Sequence, residues 1–458
     1  MPNLGKALGG LGCPGVAMLA VHVHLPSGKS CRCILSAESS VLELKLEVQR
    51  SFRCRCVRLA FQGQQLELPC TLRELGVSDG DGVDAVVQPA RLASTAGAFA
   101  VYVAGGAALT WGRPGYGGDS SKVQDQLTRL RRIQGTSEAF AAILDDGSVV
   151  TWGHPDYGGD SSQVRDQLVG VRQIQAADNA FAAILGDGSV VTWGFPQRGG
   201  DSRQVQHQLV RVQQIQATNA SFAAILEDGS VVTWGDRDYG GDSSQVRDQL
   251  VRVQQIQSSW GAFAAILDDG SVVTWGVPEC GGDSRRVQEQ LVRVQQIQAS
   301  WGAFTAILDD GSVVTWGDGD YGGDSSQVRE LLVRVQQIQT TWGAFAAILD
   351  DGSVVTWGVP ECGGDSRRVQ DQLVRVQQIQ ATNAAFAAIL EDGSVVAWGR
   401  TRGGGDCKEV QQQLVRVQQI QATEAAFAAI LDNNSLVTWG DPRDGGDSSQ
   451  IQNYLDCL

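Results

Sequence analysis

A tryptophan followed by a glycine recurs at one fixed interval along most of this chain. Consecutive copies are 41 residues apart, so no insertion or deletion separates them. Self-similarity at a constant period is typical of architectures in which each unit buries its apolar face against the next. We therefore predict nine structural units between residues 89 and 457, and we expect the loss of Trp275 to disturb units 5 and 6. The repeated residues are Trp111, Trp152, Trp193, Trp234, Trp275, Trp316, Trp357, Trp398 and Trp439.

Each unit contains the pattern of three short strands. In the second unit, Phe140–Leu144 and Ser148–Trp152 are runs rich in apolar, β-branched and aromatic residues, separated by a turn that ends in Gly147. Glycine can adopt the positive φ of a tight turn, so the two runs are predicted to form a hairpin. A further strand precedes the phenylalanine and has the pattern Val-x-x-Ile-x-Ala, as in Val212–Ala217.

A short helix is predicted after the last strand of each unit. Asp160, with Gln163 three residues later, has the pattern of a capping box. Val164 and Leu168 share one helical face. Each unit is thus expected to consist of three strands and a two-turn helix.

The charge of the chain is unevenly distributed. Its 458 residues have a formal charge of −15. Residues 1–92 contain 10 Lys and Arg residues and 8 Asp and Glu residues. The remainder of the chain therefore contains 26 basic and 43 acidic residues, a net charge of −17. A surface of this sign repels phosphate backbones and anionic lipid headgroups, so neither nucleic acid nor membrane is an expected partner.

The cysteines are predicted to be structural thiols. Cys31 and Cys33 have the i, i+2 spacing of one strand face, whereas zinc sites use C-x-x-C turns. Cysteine packs as a small hydrophobe, and free thiols fit a reducing compartment. No metal and no cofactor are expected.

One aspartate per unit has two interpretations, as a helix cap or as a calcium ligand. Capping explains its recurrence without metal, and consecutive copies lie in different units, so we favour capping. The set comprises Asp119, Asp160, Asp201, Asp242, Asp283, Asp324, Asp365, Asp406 and Asp447.

Residues 18–88 have the element order of a β-grasp fold. The pattern predicts an alternating hairpin at 18–35 and a helix at Val41–Val48 with Ser39 or Ser40 as its cap. Three further strands follow. Hairpin, helix and then strands is the β-grasp order.

This front segment resembles the ubiquitin-like family over residues 18–88. The resemblance is carried by Arg58-Leu-Ala-Phe-Gln-Gly-Gln-Gln-Leu66, by Thr71-Leu-Arg-Glu-Leu-Gly-Val77 and by Gly80-Asp-Gly-Val83, in the family's order and spacing. It implies a docking module.

Two departures from the ubiquitin-like pattern affect function. The conjugation tail ending in Gly-Gly is missing, because Gln88 leads directly into the repeats, so attachment to substrates is not expected. The hydrophobic patch by which ubiquitin is recognised is altered as well. Its positions hold Ala60, Asp84 and Pro26, and only Val86 remains aliphatic. A generic ubiquitin receptor is therefore not the expected partner.

The repeats resemble those of the regulator of chromosome condensation family. The order Val-x-x-Ile-x-Ala, Phe-Ala-Ala-Ile-Leu, Asp-Gly-Ser-Val-Val-Thr-Trp-Gly is closest to the three-stranded version found in β-lactamase-inhibiting propellers. The family's Gly-x-x-His-Ser is replaced here by a sequence ending in Ala139-Phe140, and nine units exceed the usual blade number. A closed propeller is the first choice; a nine-bladed ring and an open superhelix remain alternatives.

The fold prediction is therefore mainly β. A β-propeller of nine 41-residue repeats is preceded by a small α+β β-grasp, ubiquitin-like domain. The predicted domains are a flexible N-terminus at 1–17, the β-grasp domain at 18–88 and the propeller at 89–458.

Two variable loops in each unit are predicted to lie on one face of the propeller. Trp260, Trp301 and Trp342 occupy the same place in the loop before the phenylalanine of three successive units. The loop after Trp-Gly carries a tyrosine in several units, among them Tyr157, Tyr239 and Tyr321. An aromatic row on a variable face suggests a protein-binding surface. The alternatives are that each tryptophan folds over its neighbour's loop, or that the row is a relic of duplication.

No catalytic constellation is recognisable. The four histidines have no nucleophile motif near them, and no phosphate-binding loop is present. We expect a non-catalytic, monomeric adaptor that binds protein partners, among which a ubiquitin-pathway component is a candidate. The cytoplasm is the expected location, with the nucleus as the alternative. The competing hypothesis is a regulatory part of a ubiquitin-ligase system or a guanine-nucleotide exchange factor.

Overall fold

The computed structural model describes residues 18–25, 29–52, 57–66, 70–87, 90–103, 106–433 and 435–449. The chain divides into two compact units, Met1–Pro89 and Ala90–Leu458. Each unit has its own apolar core. The predicted flexible start at 1–17 and the patch position Pro26 lie outside the described residues.

The front unit is a five-stranded mixed sheet with one helix packed on it. The elements are β1 (Met18–His24), β2 (Ser30–Ser36), α1 (Val41–Phe52), β3 (Val57–Phe61), β4 (Gln64–Gln65) and β5 (Gly82–Val87). The strand order is β2-β1-β5-β3-β4, with β1 and β5 parallel. Burial alternates along β1, so Val21 and Val23 face a core shared with Leu44 of the helix.

A reciprocal cap fixes the start of α1. The Glu43 amide donates to the Ser40 hydroxyl at 3.3 Å, and the Ser40 amide donates to the Glu43 carboxylate at 2.9 Å. This arrangement satisfies two backbone donors that the first turn would otherwise leave unpaired. Of the two predicted caps, Ser40 is the one used.

The repeat region is a propeller of nine three-stranded antiparallel sheets, each built from consecutive strands of one unit. The inner strands are Ala90–Ser94, Leu130–Gly135, Val171–Ala176, Val212–Ala217, Val253–Ser258, Val294–Ala299, Val335–Thr340, Val376–Ala381 and Val417–Ala422. The middle strands are Ala98–Val103, Ala139–Leu144, Ala180–Leu185, Ser221–Leu226, Ala262–Leu267, Ala303–Leu308, Ala344–Leu349, Ala385–Leu390 and Ala426–Leu431. The outer strands are Ala108–Gly112, Val149–Gly153, Val190–Gly194, Val231–Gly235, Val272–Gly276, Val313–Gly317, Val354–Gly358, Val395–Gly399 and Leu436–Gly440.

The middle strands are buried on both faces because each lies between two strands of its sheet and between two neighbouring sheets. In the fifth unit Phe263 stacks on Trp275 of the outer strand, with ring centroids 5.1 Å apart. The consecutive residues Ala264 and Ala265 lie on opposite faces of the sheet and are both fully buried. Small side chains let adjacent sheets approach closely, which explains why these positions barely vary between units.

Every junction between units is fastened by the same hydrogen bond. The indole Nε1 of each repeated tryptophan donates to a glycine carbonyl of the preceding unit at 2.9–3.2 Å. For Trp275 the acceptor is Gly240, where φ is +93° and an added Cβ would lie 2.7 Å from the Phe263 ring. Only glycine fits such a position.

The nine units close into one ring. Trp111 of the first unit bonds to Gly445 of the last, and the first and last inner strands are in contact. The repeat region is therefore a closed propeller, as preferred, and the ring has nine blades. The open superhelix is not adopted.

The position of Trp275 corrects the prediction for units 5 and 6. Its indole packs with Ile225 and Val231 of unit 4, and its hydrogen bond also reaches back to unit 4. Side chains of the outer strand contact the preceding sheet, so the junction in question lies between units 4 and 5.

The predicted two-turn helix is wrong. Asp160 accepts the Ser162 amide at 2.9 Å, which makes an Asx turn, and a single 3-10 turn at Arg165–Gln167 follows. Leu168 is buried as expected. The physical reason is that this segment must carry the chain along the sheet to the next inner strand, and a compact helix would shorten its reach.

Two sets of one-turn helices complete the connections between units. The set after the outer strands is Pro114–Tyr116, Pro155–Tyr157, Pro196–Arg198, Arg237–Gly241, Pro278–Cys280, Gly319–Tyr321, Pro360–Cys362, Thr401–Gly403 and Pro442–Asp444. The set before the inner strands is Gln124–Gln126, Arg165–Gln167, Gln206–Gln208, Arg247–Gln249, Gln288–Gln290, Arg329–Leu331 and Gln370–Gln372.

Candidate functional site

One residue from each unit contributes to a closed circle of backbone hydrogen bonds around the propeller axis. The amide of each donates to the carbonyl of the equivalent residue in the next unit at 2.9–3.2 Å, and the Glu424 amide completes the circle on Ala96. We call these nine residues the mouth ring. They and their neighbours line a cavity of about 580 Å³. The mouth ring consists of Ala96, Ser137, Asp178, Asn219, Trp260, Trp301, Trp342, Asn383 and Glu424.

The loops that carry the mouth ring are held in place by buried hydroxyls. In the second unit Thr136 Oγ1 donates to the Tyr157 carbonyl at 3.0 Å and accepts the Ala139 amide at 3.0 Å. Eight of the nine units have an equivalent Thr or Ser bond to the second loop, at 2.8–3.0 Å. Ala177 replaces the hydroxyl in the third unit. The two variable loops therefore lie at the same end of the sheets, as predicted.

The three mouth-ring tryptophans form an aromatic wall together with two tyrosines. Tyr239 contacts Trp260 edge-on at 4.7 Å, Trp260 stacks on Trp301 at 4.6 Å, and Trp301 meets Tyr321 at 4.9 Å. Trp342 follows Trp301 in the mouth ring, beside these stacked rings, and is 51% exposed. Trp260 and Trp301 thus partly fold over their neighbours, which was one of the alternatives, while Trp342 projects.

A glycine follows each of these tryptophans, and two of the three glycines, Gly261 and Gly302, make room for the tyrosines of the wall. A Cβ at Gly302 would lie 3.0 Å from the Tyr321 ring, and one at Gly261 would lie 3.2 Å from Tyr239 and 2.8 Å from Val277. Contacts this short would force the rings apart. The Trp-Gly pairs at 260, 301 and 342 are therefore a packing signal as well as a row of tryptophans.

Asp178 and Glu424 face the same cavity from the other side of the mouth ring. Burial raises the pKa of the Asp178 carboxyl, against the opposing effects of a hydrogen bond with Ser137 and of Arg198. Loss of hydration raises the pKa of Glu424, and the carboxylates of Asp444 and Asp178 add to the rise. Sequence reasoning missed both residues, although their loop positions match those of the tryptophans.

Asn219 lies between Asp178 and Trp260 in the mouth ring. Its side chain is 8% exposed, and its Oδ1 has no hydrogen-bond partner among the described residues. A buried amide oxygen without a donor is costly, and this one belongs to a residue that lines the cavity.

Tyr157 is not part of the aromatic wall. Its ring contacts His154 edge-on at 5.0 Å and packs on the core between units 2 and 3. Of the six propeller residues predicted from the sequence, the structure joins four by ring contacts, namely Tyr239, Trp260, Trp301 and Tyr321, and places Trp342 next to them at the cavity.

The predicted ubiquitin-like patch residues share one face of the front sheet. Ala60 pairs with Asp84 across β3 and β5, and Val86 follows on the same face, 48% exposed. Burial of Leu59 and Ala85 places the alternate residues on the core side. This face is mixed in polarity, which differs from an apolar docking patch.

The thiols of the front sheet lie close together, with Cys31 Sγ 3.8 Å from Cys33 Sγ. Burial, with Cys31 as the next cause, raises the pKa of Cys33 to about 12, so this thiol stays protonated. Over the described residues no group of three or more His, Cys, Asp or Glu side chains is placed to hold a metal ion. In the same part of the chain, no helix is long and apolar enough to cross a membrane.

Comparison with solved structures finds two kinds of neighbour. Yeast RCC1 (Prp20), solved bound to Kap60, is 14% identical, covers 69% of this chain and 80% of its own, and has a TM-score of 0.40. The computationally designed protein Ika8 is 14% identical over 67% of this chain and 95% of its own, with a TM-score of 0.35. The ubiquitin-like domain of Plasmodium falciparum Dsk2 is 23% identical over 16% of this chain and 99% of its own, with a TM-score of 0.15.

No family model and no curated protein matches the chain. The assignment of the propeller therefore rests on its own nine sheets and their closure.

Proposed function

We propose that this protein is a non-catalytic interaction scaffold whose propeller binds a protein partner at the mouth. The aromatic wall carries the proposal. It lies in connecting loops, and six of the nine units have no tryptophan there, so the fold does not require it. Trp and Tyr contribute much of the binding energy at protein interfaces.

The frame beneath the wall supports the same function. The closed circle of hydrogen bonds and the buried hydroxyls hold the loops before any partner arrives. A preorganised surface loses less conformational entropy on binding than a mobile loop would. The front unit is proposed as a second docking module, for a ubiquitin-pathway component, and the whole protein as a cytoplasmic monomer.

The test uses the full chain as bait and compares Trp342→Ala with Phe195→Ala. Both remove an exposed aromatic side chain from a propeller loop, 51% and 42% exposed respectively, but Phe195 lies outside the mouth ring. A partner captured by the parent and by Phe195→Ala should be lost or weakened with Trp342→Ala. With the purified partner, the affinity should fall by about 30-fold, the equivalent of ~2 kcal/mol.

The triple substitution of Trp260, Trp301 and Trp342 by Ala should abolish binding altogether. Because Trp260 and Trp301 are partly packed, we expect this variant to melt earlier as well, so Trp342→Ala is the decisive variant. A partner that binds Trp342→Ala and the triple variant as tightly as the parent would show that the mouth is not the binding surface.

A further inference from the structure

The mouth ring has the same order of residue types in both directions from Trp301. On each side a tryptophan comes first, then an asparagine, then an acidic residue and finally a small residue. The pairs are Trp260 and Trp342, Asn219 and Asn383, Asp178 and Glu424, and Ser137 and Ala96. The cavity thus has an aromatic side and an acidic side.

The two sides are close enough to act on one bound group. Hydrogen-bonded neighbours about 5 Å apart make a nine-membered circle roughly 14 Å across, measured between backbones. Asp178 and Glu424 interact electrostatically across this space, and Asp178 contributes to the raised pKa of Glu424. Trp and Glu side chains on opposite sides can therefore approach the same ligand.

The acidic side has charge that the protein does not neutralise by direct pairing. Neither Asp178 nor Glu424 forms a salt bridge with a described Lys or Arg residue, and the nearby Arg113 is paired with Asp444 at 2.7 Å. Ser137 hydrogen-bonds to the Asp178 carboxylate and Asn383 to the Glu424 carboxylate, while Arg198 and Arg113 act on them electrostatically. A ligand that brings a positive charge and N–H donors would pair directly with both carboxylates.

We propose that the mouth binds an arginine or lysine side chain presented by a basic segment of the protein partner. The charged group would enter between the exposed ring of Trp342 and the carboxylates of Asp178 and Glu424, and its N–H groups would donate to those carboxylates. Cations are attracted to the face of an indole ring, most strongly where water is excluded. The ligand class rests on the proposed function of the propeller face.

The charge of the whole propeller favours the same occupant. The segment after residue 92 has a net charge of −17, so a basic peptide is attracted and an acidic one repelled. This long-range attraction speeds encounter, whereas the mouth residues provide the specific site.

The probe is a synthetic peptide of three Arg-Gly-Ser repeats. The control peptide has citrulline in place of each arginine. Citrulline keeps the shape of arginine and removes its charge. Binding to the full chain is measured by calorimetry at about 0.15 M salt, where the Debye length is about 8 Å and distant surface charges are screened. The arginine peptide should bind, and the citrulline peptide should bind at least about tenfold more weakly.

Two matched pairs of variants locate the site. Asp178→Asn with Glu424→Gln removes two charges at the mouth, and Asp309→Asn with Asp350→Asn removes two at the opposite end of the sheets, where those residues pair with Arg293 and Arg334. We expect the mouth variant to weaken the arginine peptide at least about tenfold and the control by less than about twofold. Trp342→Ala should also weaken it, Trp342→Phe should partly restore binding, and Phe195→Ala should have no effect.

Three results would overturn the inference: no binding of the arginine peptide at millimolar concentration, equal binding of the citrulline peptide, or equal losses in the two acidic double variants. The proposed function is judged separately. A purified protein partner that requires Trp342 but is insensitive to Asp178→Asn with Glu424→Gln would leave the mouth as a binding surface and reject the cationic ligand.

Discussion

The indole Nε1 of Trp111 donates to the carbonyl of Gly445 at 3.2 Å, although 334 residues separate them in the chain. The same bond joins Trp275 to Gly240 at 3.0 Å inside the ring. The closing junction therefore uses the chemistry of the internal junctions and should have similar strength.

Trp275→Ala is expected to destabilise the propeller by ~3–5 kcal/mol, because it removes a buried aromatic side chain and its hydrogen bond. Amide protection measured by hydrogen exchange should fall in units 4 and 5. Trp111→Ala is the matched variant at the seam and should expose units 1 and 9 to a similar degree. Loss of protection spread evenly over all nine units would contradict the local packing described here.

Thr305→Ala is expected to raise stability by ~1–3 kcal/mol. Thr305 is fully buried, and its hydroxyl has no hydrogen-bond partner among the described residues. The eight equivalent positions in the other units hold alanine, so the smaller side chain fits the packing. Removing a buried unpaired hydroxyl recovers its desolvation cost. Urea unfolding checks this, and an unchanged or lower midpoint would mean that the hydroxyl is satisfied.

Ala177→Thr is expected to raise stability by ~1 kcal/mol, the net value of one hydrogen bond. Ala177 is buried at the position where eight other units have a hydroxyl that bonds to the second loop. By the same spacing, the acceptor would be the Arg198 carbonyl. Thr136→Val in the preceding unit is the reverse variant and should lower the melting temperature. A destabilised Ala177→Thr protein would indicate that this loop has no room for the side chain.

Acid should destabilise the propeller through its Asx-turn aspartates. Hydrogen bonds from the Arg285 guanidinium and amide lower the pKa of Asp283 from 3.8 to about 2, and Arg367 does the same for Asp365. Because the folded pKa is the lower one, this contribution is present above about pH 3.8 and is lost as pH falls through about 2. Asp283→Asn should be less stable than the parent at pH 6, and the difference should vanish in strong acid.

Asp178 is the control for that titration, because its pKa is shifted in the opposite direction. Burial raises the pKa of Asp178, so its charged form is unfavourable in the folded state. Asp178→Asn should therefore be more stable than the parent at neutral pH, with the gain disappearing as pH falls below about 3.8, the ordinary value. If the stabilities of Asp283→Asn and Asp178→Asn changed with pH in the same way, the local environments described here would not control the pKa values of these two carboxyls.

Treatment with EDTA should leave the melting temperature unchanged. The recurrent aspartates accept backbone amides, as Asp324 does from Ser326 at 2.9 Å. The thiol of Cys33 is buried and protonated at neutral pH. A fall of several degrees, reversed by added calcium or zinc, would reveal a metal site.

The sequence predicted the sheets well because each strand has a local signature. Phe140 and Trp152 pair across the hairpin that the alternation indicated. The helix after each outer strand was mispredicted because Asp160 and the residues after it suit an Asx turn as well as a helix cap. Ring closure could not be predicted from local sequence patterns. Trp152 and Gly117 would pair identically in an open superhelix, and the angle between neighbouring units decides whether the ring closes.

The mouth ring was only partly predicted. Trp260, Trp301 and Trp342 stand out because they are the three tryptophans outside the nine repeated positions, whereas Asp178 and Glu424 resemble ordinary loop residues. Placing the units above one another at the 41-residue interval would have shown all nine positions together. The unpaired Oδ1 of Asn219 could not be predicted, because it depends on which donors surround a buried atom.

The circle that joins all nine mouth-ring residues is made of backbone hydrogen bonds, and this has an evolutionary consequence. The circle of amides and carbonyls forms with alanine, serine, asparagine, aspartate, glutamate or tryptophan in place. Stability resides in the repeated strands, so a mutation at one of the nine positions can alter what the propeller recognises while the fold persists. Duplication of a whole unit would add one more position to the circle, and selectivity could then diversify while the backbone bonds of the circle are kept.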